Sequence, residues 1–433
     1  MQSLSYGQLL RTNRHFRNLL AGQMISELGN WFNFIASLGL VRMVSDASPI
    51  VAGVLFACRL IPFAFVSPIA GTFVDRFSRR QVMIATDIAR VFVALAFLLV
   101  TTESDLWIAY LATVLLSTFG AFFEGAKNAA TPNLTGKEGL LAGTALMFST
   151  RFLLMAIGSA LGGWAAAVFG YKVAFLINAV SFLASAYSVW LVPETATRDA
   201  ATAERMAAKE KREPFMTELR EGLRYTVKNH FAATILIMNV IWATGGGAIN
   251  IIFERFGGIY FAGKEGWNPD VAVALMWTAS GFGLTLGMLI AHRTSVWLER
   301  TRGHTAFIGW TLIVHGIVFA IGGLMPTLLL FAVFAFVSRA IVGVEYAVQE
   351  TLFQRSLPDY IRGRISTLDR GAELTMFGIS SLIAGETMVY ISPQTLTIIS
   401  GVLSAFSGLI WFIRQGSKDT YREPPQSPAF EQA

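Results

Sequence analysis

Long apolar stretches recur along the whole chain, and a soluble fold has too little interior to bury them all. The chain has 433 residues, of which 54% are hydrophobic and only 14% are charged, whereas soluble domains carry about 25% charged residues. A helix needs roughly 20 apolar residues to cross a bilayer. We therefore expect an all-α membrane protein with twelve transmembrane helices, at residues 17–43, 50–74, 82–101, 106–126, 141–168, 172–192, 231–257, 271–292, 305–323, 328–347, 365–390 and 394–413.

The twelve stretches fall into two sets of six. This predicts an N-terminal six-helix bundle over 1–192, a solvated linker over 193–230, a C-terminal six-helix bundle over 231–414 and a tail over 415–433. A faint internal repeat supports the division, since Phe123–Gly163 resembles Tyr346–Gly385. Two copies that start on the same side of the membrane indicate parallel halves, the arrangement of alternating-access carriers.

The loops alternate in charge. The positive-inside rule then places both termini and the linker in the cytoplasm, and the protein in the cytoplasmic membrane. Anionic lipid headgroups, rather than nucleic acid, are the expected partners of the basic loops. The basic set contains Arg76, Arg79, Arg80, Lys127, Lys137, Arg293, Arg300, Arg302, Arg355, Arg362 and Arg364, and the other set contains little beyond Arg42, Lys172 and Lys264.

Several classes of function find no support in the sequence. It has a single cysteine, Cys58, and no pattern typical of a metal site, a serine hydrolase or a nucleotide-binding phosphate loop. We therefore expect no metal, no cofactor, no enzymatic activity and no ATP-driven pumping. The expected protein is a monomer.

The loop after the second stretch carries a recognisable motif. It reads Gly71-Thr72-Phe73-Val74-Asp75-Arg76-Phe77-Ser78-Arg79-Arg80, which resembles the G-x-x-x-D-R-x-G-R-[RK] signature of the major facilitator superfamily, with Ser78 in place of glycine. The resemblance implies two parallel six-helix bundles and a cytoplasmic latch formed by Gly71, Asp75, Arg76, Arg79 and Arg80. The alternative is that these arginines only set the topology. The corresponding loop of the second half has no matching aspartate.

Further segments resemble one branch of that superfamily, the carriers of the macrolide-efflux and enterobactin-exporter type. They are Cys58–Pro62, Phe122–Ala129 and Leu357–Arg364. The resemblance implies export of amphipathic compounds and is close to bacterial lysophospholipid carriers. Two positions depart from the pattern: Asn30 follows Gly29, and Ser159 replaces the proline of the antiporter motif.

Ionisable residues inside the membrane usually mark the transport pathway. In the fold that the resemblance implies, the first, fourth, seventh and tenth helices line the cavity. The proton-coupling candidates are Glu27 first, Glu373 second and then Glu124, and the cavity candidates are Asn30, Trp31, Arg59, Arg151, Asn239, Trp242 and Arg339. The alternative for the three arginines is that they pair with carboxylates to fix helix packing. Asp87 and Arg90 are expected to form a local ion pair, and Asp369 to open the eleventh helix.

The sequence thus predicts a secondary transporter that exports a small amphipathic or hydrophobic compound and is driven by proton entry. A lysophospholipid flippase or a uniporter is the alternative within transport. A membrane receptor or scaffold without transport activity is the alternative from another class.

Overall fold

The computed structural model describes residues 4–74, 77–197 and 215–416, and the regular structure of these residues is entirely helical. Short 3-10 helices lie at Phe97–Leu99, Glu103–Asp105 and Glu194–Thr197, and a π-helical turn at Phe256–Phe261. The α-helices are α1 (Tyr6–Thr12), α2 (Arg14–Val44), α3 (Pro49–Val74), α4 (Arg79–Ala96), α5 (Leu106–Phe169), α6 (Tyr171–Trp190), α7 (Phe215–Lys228), α8 (His230–Gly246), α9 (Ala248–Arg255), α10 (Ala262–Glu265), α11 (Pro269–Thr301), α12 (His304–Gly322), α13 (Leu328–Ser356), α14 (Asp359–Thr387) and α15 (Pro393–Gln415).

Ten helical segments of the described chain are long and apolar enough to cross a membrane, and each overlaps one predicted span. The predicted first and eleventh spans are helices too, α2 and α14, but they are not among the ten. Both contain polar residues within an apolar sequence: α2 carries Glu27, Asn30 and Asn33, and α14 carries Asp369, Arg370 and Glu373. Polar residues of the candidate site therefore lower the hydropathy of these two helices.

The predicted loop between the fourth and fifth spans is wrong. Residues 127–140 are helical except at Gly136, where φ 65° and ψ 175° interrupt α5. This conformation is essentially restricted to glycine, so one residue reverses the chain. As a result, Thr131 Oγ1 lies 3.6 Å from Met147 Sδ. In a straight helix these two residues would lie far apart.

Several helices extend beyond the predicted spans. Helix α11 continues to Thr301, α13 continues to Ser356 and α14 begins at Asp359. Hydropathy detects only the apolar part of such a helix and misses its polar ends. The interpretation of Asp369 as the start of the eleventh helix is accordingly wrong, because this residue lies well inside α14.

Contacts between helices separate the described chain into two groups. Helices α2, α4, α5 and α6 pack mainly on one another, as do α8, α11, α12, α13 and α15, whereas α3 and α14 make their most extensive contacts with each other. The pattern repeats: α6 contacts α2 and α4, and α15 contacts α8 and α12 in the same way. The most extensive contacts between the groups are those of α3 with α14 and of α5 with α11.

The two ends of the molecule are packed differently. We call the end with Arg79, Arg364 and Arg414 the basic end, and the end with Arg42 the opposite end. At the opposite end both groups of helices share one hydrophobic core, which includes Phe34 and Trp277. At the basic end each group has a separate core, one around Phe16 and one around Trp411. The groups are therefore joined at the opposite end and apart at the basic end.

Candidate functional site

A cavity of about 230 Å³, lined about equally by polar and apolar surface, lies between α2, α3, α4 and α5 and reaches α14; because it holds the charged candidates, we call it the polar cavity. Five residues proposed from the sequence line this polar cavity: Glu27, Asn30, Arg59, Glu124 and Arg151. They come from four separate stretches of the chain, so the fold brings together what the sequence keeps apart.

Helical periodicity explains how α2 contributes to the cavity. Glu27, Asn30 and Phe34 follow one another at intervals of three and four residues, which places them on one helix face. All three line the polar cavity. Trp31 stands beside this face, and the guanidinium carbon of Arg59 lies 4.4 Å from the ring centroid of Phe34 and 5.9 Å from that of Trp31. This geometry is that of a cation–π contact.

The charged residues of the polar cavity divide into paired and unpaired groups. Glu124 pairs with Lys127 at 2.6 Å, Arg370 pairs with Glu373 at 2.7 Å, and Arg90 pairs with Asp87 as expected. Within the described residues, Glu27, Arg59 and Arg151 have no oppositely charged group within 4.0 Å. Unpaired charges in such a place favour a ligand or a proton as partner.

A second, larger space of about 870 Å³ lies between α3 and α14 and has a mainly apolar lining. We call it the apolar cleft. It extends from Phe63 to Gly71 along α3 and from Gly363 to Met376 along α14, so it reaches the basic end. Phe63, Arg370 and Leu374 line both spaces. The polar cavity therefore adjoins the apolar cleft at these three residues.

An ion-pair cluster closes the opposite end. Arg42, at the end of α2, lies 3.0 Å from both carboxylate oxygens of Glu254 in α9 and also pairs with Asp270 in α11. The hydroxyl of Tyr171 in α6 donates to Asp270 at 3.1 Å. These side chains are largely buried and connect the two groups of helices, so we call them the ion-pair gate.

The sequence reasoning missed the ion-pair gate. It treated Arg42 as one of few charges in a weakly charged set of loops. The signal that was available is that Glu254 and Asp270 also lie near that side of the membrane, in the other half of the chain. A basic and two acidic residues on a side with few charges are candidates for pairing.

Aromatic rings separate the ion-pair gate from the polar cavity. Trp277 of α11 contacts Phe34 at 5.2 Å, Phe253 at 5.4 Å and Trp31 at 5.8 Å between ring centroids. Phe56 of α3 completes the group at 6.4 Å from Trp277. These rings belong to both groups of helices, so the two groups are in direct contact here.

The remaining candidates form polar contacts in the second group of helices. The Asn239 amide donates to both carboxylate oxygens of Asp369, at 2.9 and 3.2 Å, and its oxygen accepts from Gln349 at 3.0 Å. The indole of Trp242 donates to buried His315 at 3.2 Å. Neither Asn239 nor Trp242 lines the polar cavity of this conformation.

Two further ionisable groups of this region, one acidic and buried and one basic and partly exposed, lie on α13. Glu345 of α13 is 3% exposed, and its Oε1 has no hydrogen-bond partner among the described residues. Arg339 of α13 has no carboxylate within 4.0 Å in the same part of the chain. Sequence reasoning did not single out Glu345, which looks like an ordinary residue near a helix end.

The motif of the second loop is described in part. Asp75 and Arg76 lie outside the described residues. Arg79 donates to the carbonyl of Thr197 at 2.8 Å, and Arg80 donates to the carbonyl of Trp190, at the end of α6, at 2.7 Å. Gly71 borders the apolar cleft, where an added Cβ atom would meet no atom within 4 Å. The two arginines thus contact the end of α6 and the first residues of the predicted linker.

A multi-pass helical membrane protein with an internal polar cavity is typical of the transport proteins, and comparison with known proteins identifies the family. The chain matches the Major Facilitator Superfamily model over residues 19–309. The chain belongs to the Major Facilitator Superfamily. It is thereby a membrane transporter by family, rather than an enzyme.

Curated relatives agree with the branch that the sequence resembles. The chain is 27% identical to "Uncharacterized MFS-type transporter YfiS" of Bacillus subtilis (strain 168), covering 94% of each protein. It is 23% identical to "Macrolide efflux protein A" of Streptococcus pyogenes, over 82% of this chain and 84% of that protein. It is also 23% identical to "Enterobactin exporter EntS" of Citrobacter koseri, over 83% and 82%.

Solved structures share the fold. A bacterial homologue of the human lysosomal transporter Spinster, in an inward-facing and occupied conformation, superposes with a TM-score of 0.71 over 95% of this chain and 98% of that one, at 13% identity. The nucleoside transporter NupG superposes with a TM-score of 0.66 over 92% and 98%, also at 13% identity. At such low identity the likeness concerns the fold alone.

Proposed function

We propose that this protein exports a small amphipathic or hydrophobic compound across the cytoplasmic membrane by alternating access, driven by proton entry. The observation that carries the proposal is the combination of a polar cavity sealed at one end by the ion-pair gate with an apolar cleft that reaches the other end. A space accessible from one side at a time is what alternating access requires. The efflux-type relatives favour export as the direction.

The repeated helix contacts support two parallel six-helix bundles, with α2 and α14 completing a set of twelve spans. In this arrangement the bundles meet through α3 with α14 and through α5 with α11. The domain bounds proposed from the sequence, 1–192 and 231–414, are part of this proposal. The distribution of basic residues favours a cytoplasmic basic end, which makes the described conformation open toward the cytoplasm.

Glu27 is the first candidate for the proton carrier. It lines the polar cavity and has no cationic partner within 4.0 Å among the described residues, so protonation would break no ion pair. Glu373 and Glu124 remain the second and third candidates, and each must leave a basic partner to bind a proton. The other charged residues that line the polar cavity are Arg59, Arg90, Glu124, Arg151 and Arg370.

The latch belongs to the same proposal. The ion-pair gate closes the opposite end in the described conformation, and the segment Gly71–Arg80 would hold the basic end in the alternate one. The free space at Gly71 fits this role, because the apolar cleft must close when α3 and α14 approach each other.

Flux through the purified protein tests the proposal. The full chain is reconstituted in liposomes loaded with a panel of amphipathic dyes of cationic, neutral and anionic character, and dye movement is measured with and without a pH gradient. We expect protein-dependent flux of at least one dye, accelerated by the gradient. Flux that ignores the gradient would favour the flippase or uniporter, and no flux of any kind would favour a receptor or scaffold.

A further inference from the structure

The charges of the polar cavity and the lining of the apolar cleft together define the chemistry of a ligand. The cavity presents two cations with no carboxylate within 4.0 Å in the described chain, Arg59 and Arg151, and one acid with no cation within that distance, Glu27, which interacts with Arg59 at longer range. Its other charged groups are already paired. An excess of unpaired guanidinium groups favours an anionic ligand, since arginine binds carboxylates and phosphates through charge-assisted hydrogen bonds.

The position of Arg59 strengthens this argument. Its guanidinium lies against the ring of Phe34, which holds it in place without using its hydrogen-bond donors. An arginine at the wall of the cavity, held by an aromatic ring and with no carboxylate within 4.0 Å in the described chain, is a candidate for binding an anion from outside the chain.

The apolar cleft indicates the chemistry of the second part of the ligand. Its walls include Phe63, Ala64 and Ile69 of α3 and Leu368 and Leu374 of α14, and its volume of about 870 Å³ exceeds that of the polar cavity. The two spaces adjoin at Phe63, Arg370 and Leu374. A head group in the cavity and an attached hydrocarbon chain in the cleft would thus occupy both at once.

We propose that the substrate is a single-chain amphipathic anion. Its carboxylate or phosphate head lies between Arg59 and Arg151, and its chain passes Leu374 into the apolar cleft. Arg370, at the junction and paired with Glu373, positions the start of the chain. This inference rests on the proposed transport function and narrows its substrate class.

Binding to the full chain in nanodiscs of zwitterionic lipid, without any gradient, tests the inference. The probes are dodecyl phosphate, dodecanoate, ethyl phosphate and dodecyltrimethylammonium, and the readout is the dissociation constant by thermophoresis. We expect one or both dodecyl anions to bind at least tenfold more tightly than the other two probes. The stronger of the two identifies the head group. Equal binding of the dodecyl cation and the dodecyl anions would overturn the proposal.

Matched variants locate the two parts of the site. Arg59→Gln and Arg151→Gln should each weaken dodecyl anion binding at least tenfold. Arg59→Lys should keep most of the wild-type affinity. Arg355→Gln, at an exposed surface pair, is the control and should leave the affinity unchanged. Thr367→Trp, an exposed position of the cleft lining, should weaken binding severalfold, unlike Ile383→Trp elsewhere on α14. Wild-type affinity in both glutamine variants, or in Thr367→Trp, would contradict the assignment.

The binding test and the flux test fail independently. A protein that transports only neutral or cationic dyes and does not bind the dodecyl anions retains the proposed function and loses this inference. A protein that binds the anions and moves no compound loses the proposed function instead.

Discussion

Arg42 and Glu254 form a 3.0 Å ion pair between the two halves of the molecule, although 212 residues separate them along the chain. Asp270 joins them from a third helix. In the proposed alternating-access cycle each partner moves with its own half, so this cluster breaks whenever the opposite end opens. It therefore contributes directly to the free-energy difference between the two conformations.

Arg42→Gln should shift the protein toward the conformation that is open at the opposite end. The substitution leaves two buried acids without their cation, and breaking a buried pair in this way costs about 3–5 kcal/mol. With Cys58 replaced by serine, Ser37→Cys in the cavity lining reports the opening. We expect a membrane-impermeant maleimide, added from the periplasmic or outer side, to label it at least tenfold faster.

Arg355→Gln is the control for this experiment. The Arg355–Glu299 pair is similar in length, 2.9 Å, but about half exposed, and such pairs contribute only about 0–1 kcal/mol. Labelling of Ser37→Cys should stay at its original rate. Equal acceleration in both arginine variants would show that the ion-pair gate has no special role.

Gly163→Ala should, like Arg42→Gln, shift the protein toward the conformation that is open at the opposite end. A Cβ atom at Gly163 would lie 2.8 Å from the carbonyl oxygen of Asp270 and in collision with Ala274, both in α11. The two halves can then no longer approach as closely at this end, so labelling of Ser37→Cys should increase. Gly71→Ala should act in the opposite direction, because it has space in this conformation and would obstruct closure of the apolar cleft.

Asp369→Ala should destabilise the second half of the protein. Asn239 would lose its acceptor in a buried place, and an unsatisfied buried donor costs about 1–3 kcal/mol. Asp369→Asn keeps an acceptor oxygen and should lower the unfolding temperature much less. The measurement is thermal unfolding in detergent, and identical losses in the two variants would refute the assigned bonds.

Glu27→Gln should remove the response of flux to a pH gradient while leaving the protein folded. The amide is close in shape to the acid but cannot exchange a proton, and no described ion pair is lost. Flux in liposomes with and without the gradient measures the effect, and Glu299→Gln at an exposed pair is the control. A variant that still responds fully would exclude Glu27 and direct attention to Glu373→Gln.

Hydropathy predicted the bounds of helices that are apolar along their whole length. It was less accurate for helices with polar ends and for the turn between two consecutive helices. The spans at 172–192 and 305–323 agree with α6 and α12 to within two residues. The loop after Ala126 was wrong because a single glycine conformation replaces it, and no hydropathy window resolves one residue. Helices such as α13 are longer than predicted because hydropathy detects only the apolar part of a helix and misses its polar ends.

The candidate site was predictable to the extent that single helices determine it. Glu27, Asn30 and Arg59 could be proposed because an ionisable or polar residue in an apolar helix is unusual in itself. The ion-pair gate could not, since its partners come from distant segments and only the fold brings them together. Asn239 and Trp242 were proposed as cavity residues but do not line the polar cavity. A position on a helix alone does not determine which neighbour a side chain contacts.

The unpaired side chains of the polar cavity carry one net positive charge when Glu27 is ionised, from two arginines and one glutamate. A bound monoanion cancels this charge, so reorientation of the loaded protein would be nearly insensitive to membrane voltage. In the proposed proton-driven cycle Glu27 is protonated when the empty protein returns, so the empty cavity then carries two positive charges, and each elementary charge moved through 100 mV changes the free energy by about 2.3 kcal/mol. An inside-negative voltage would then act on the empty protein and return its cavity to the cytoplasmic side, ready for the next substrate.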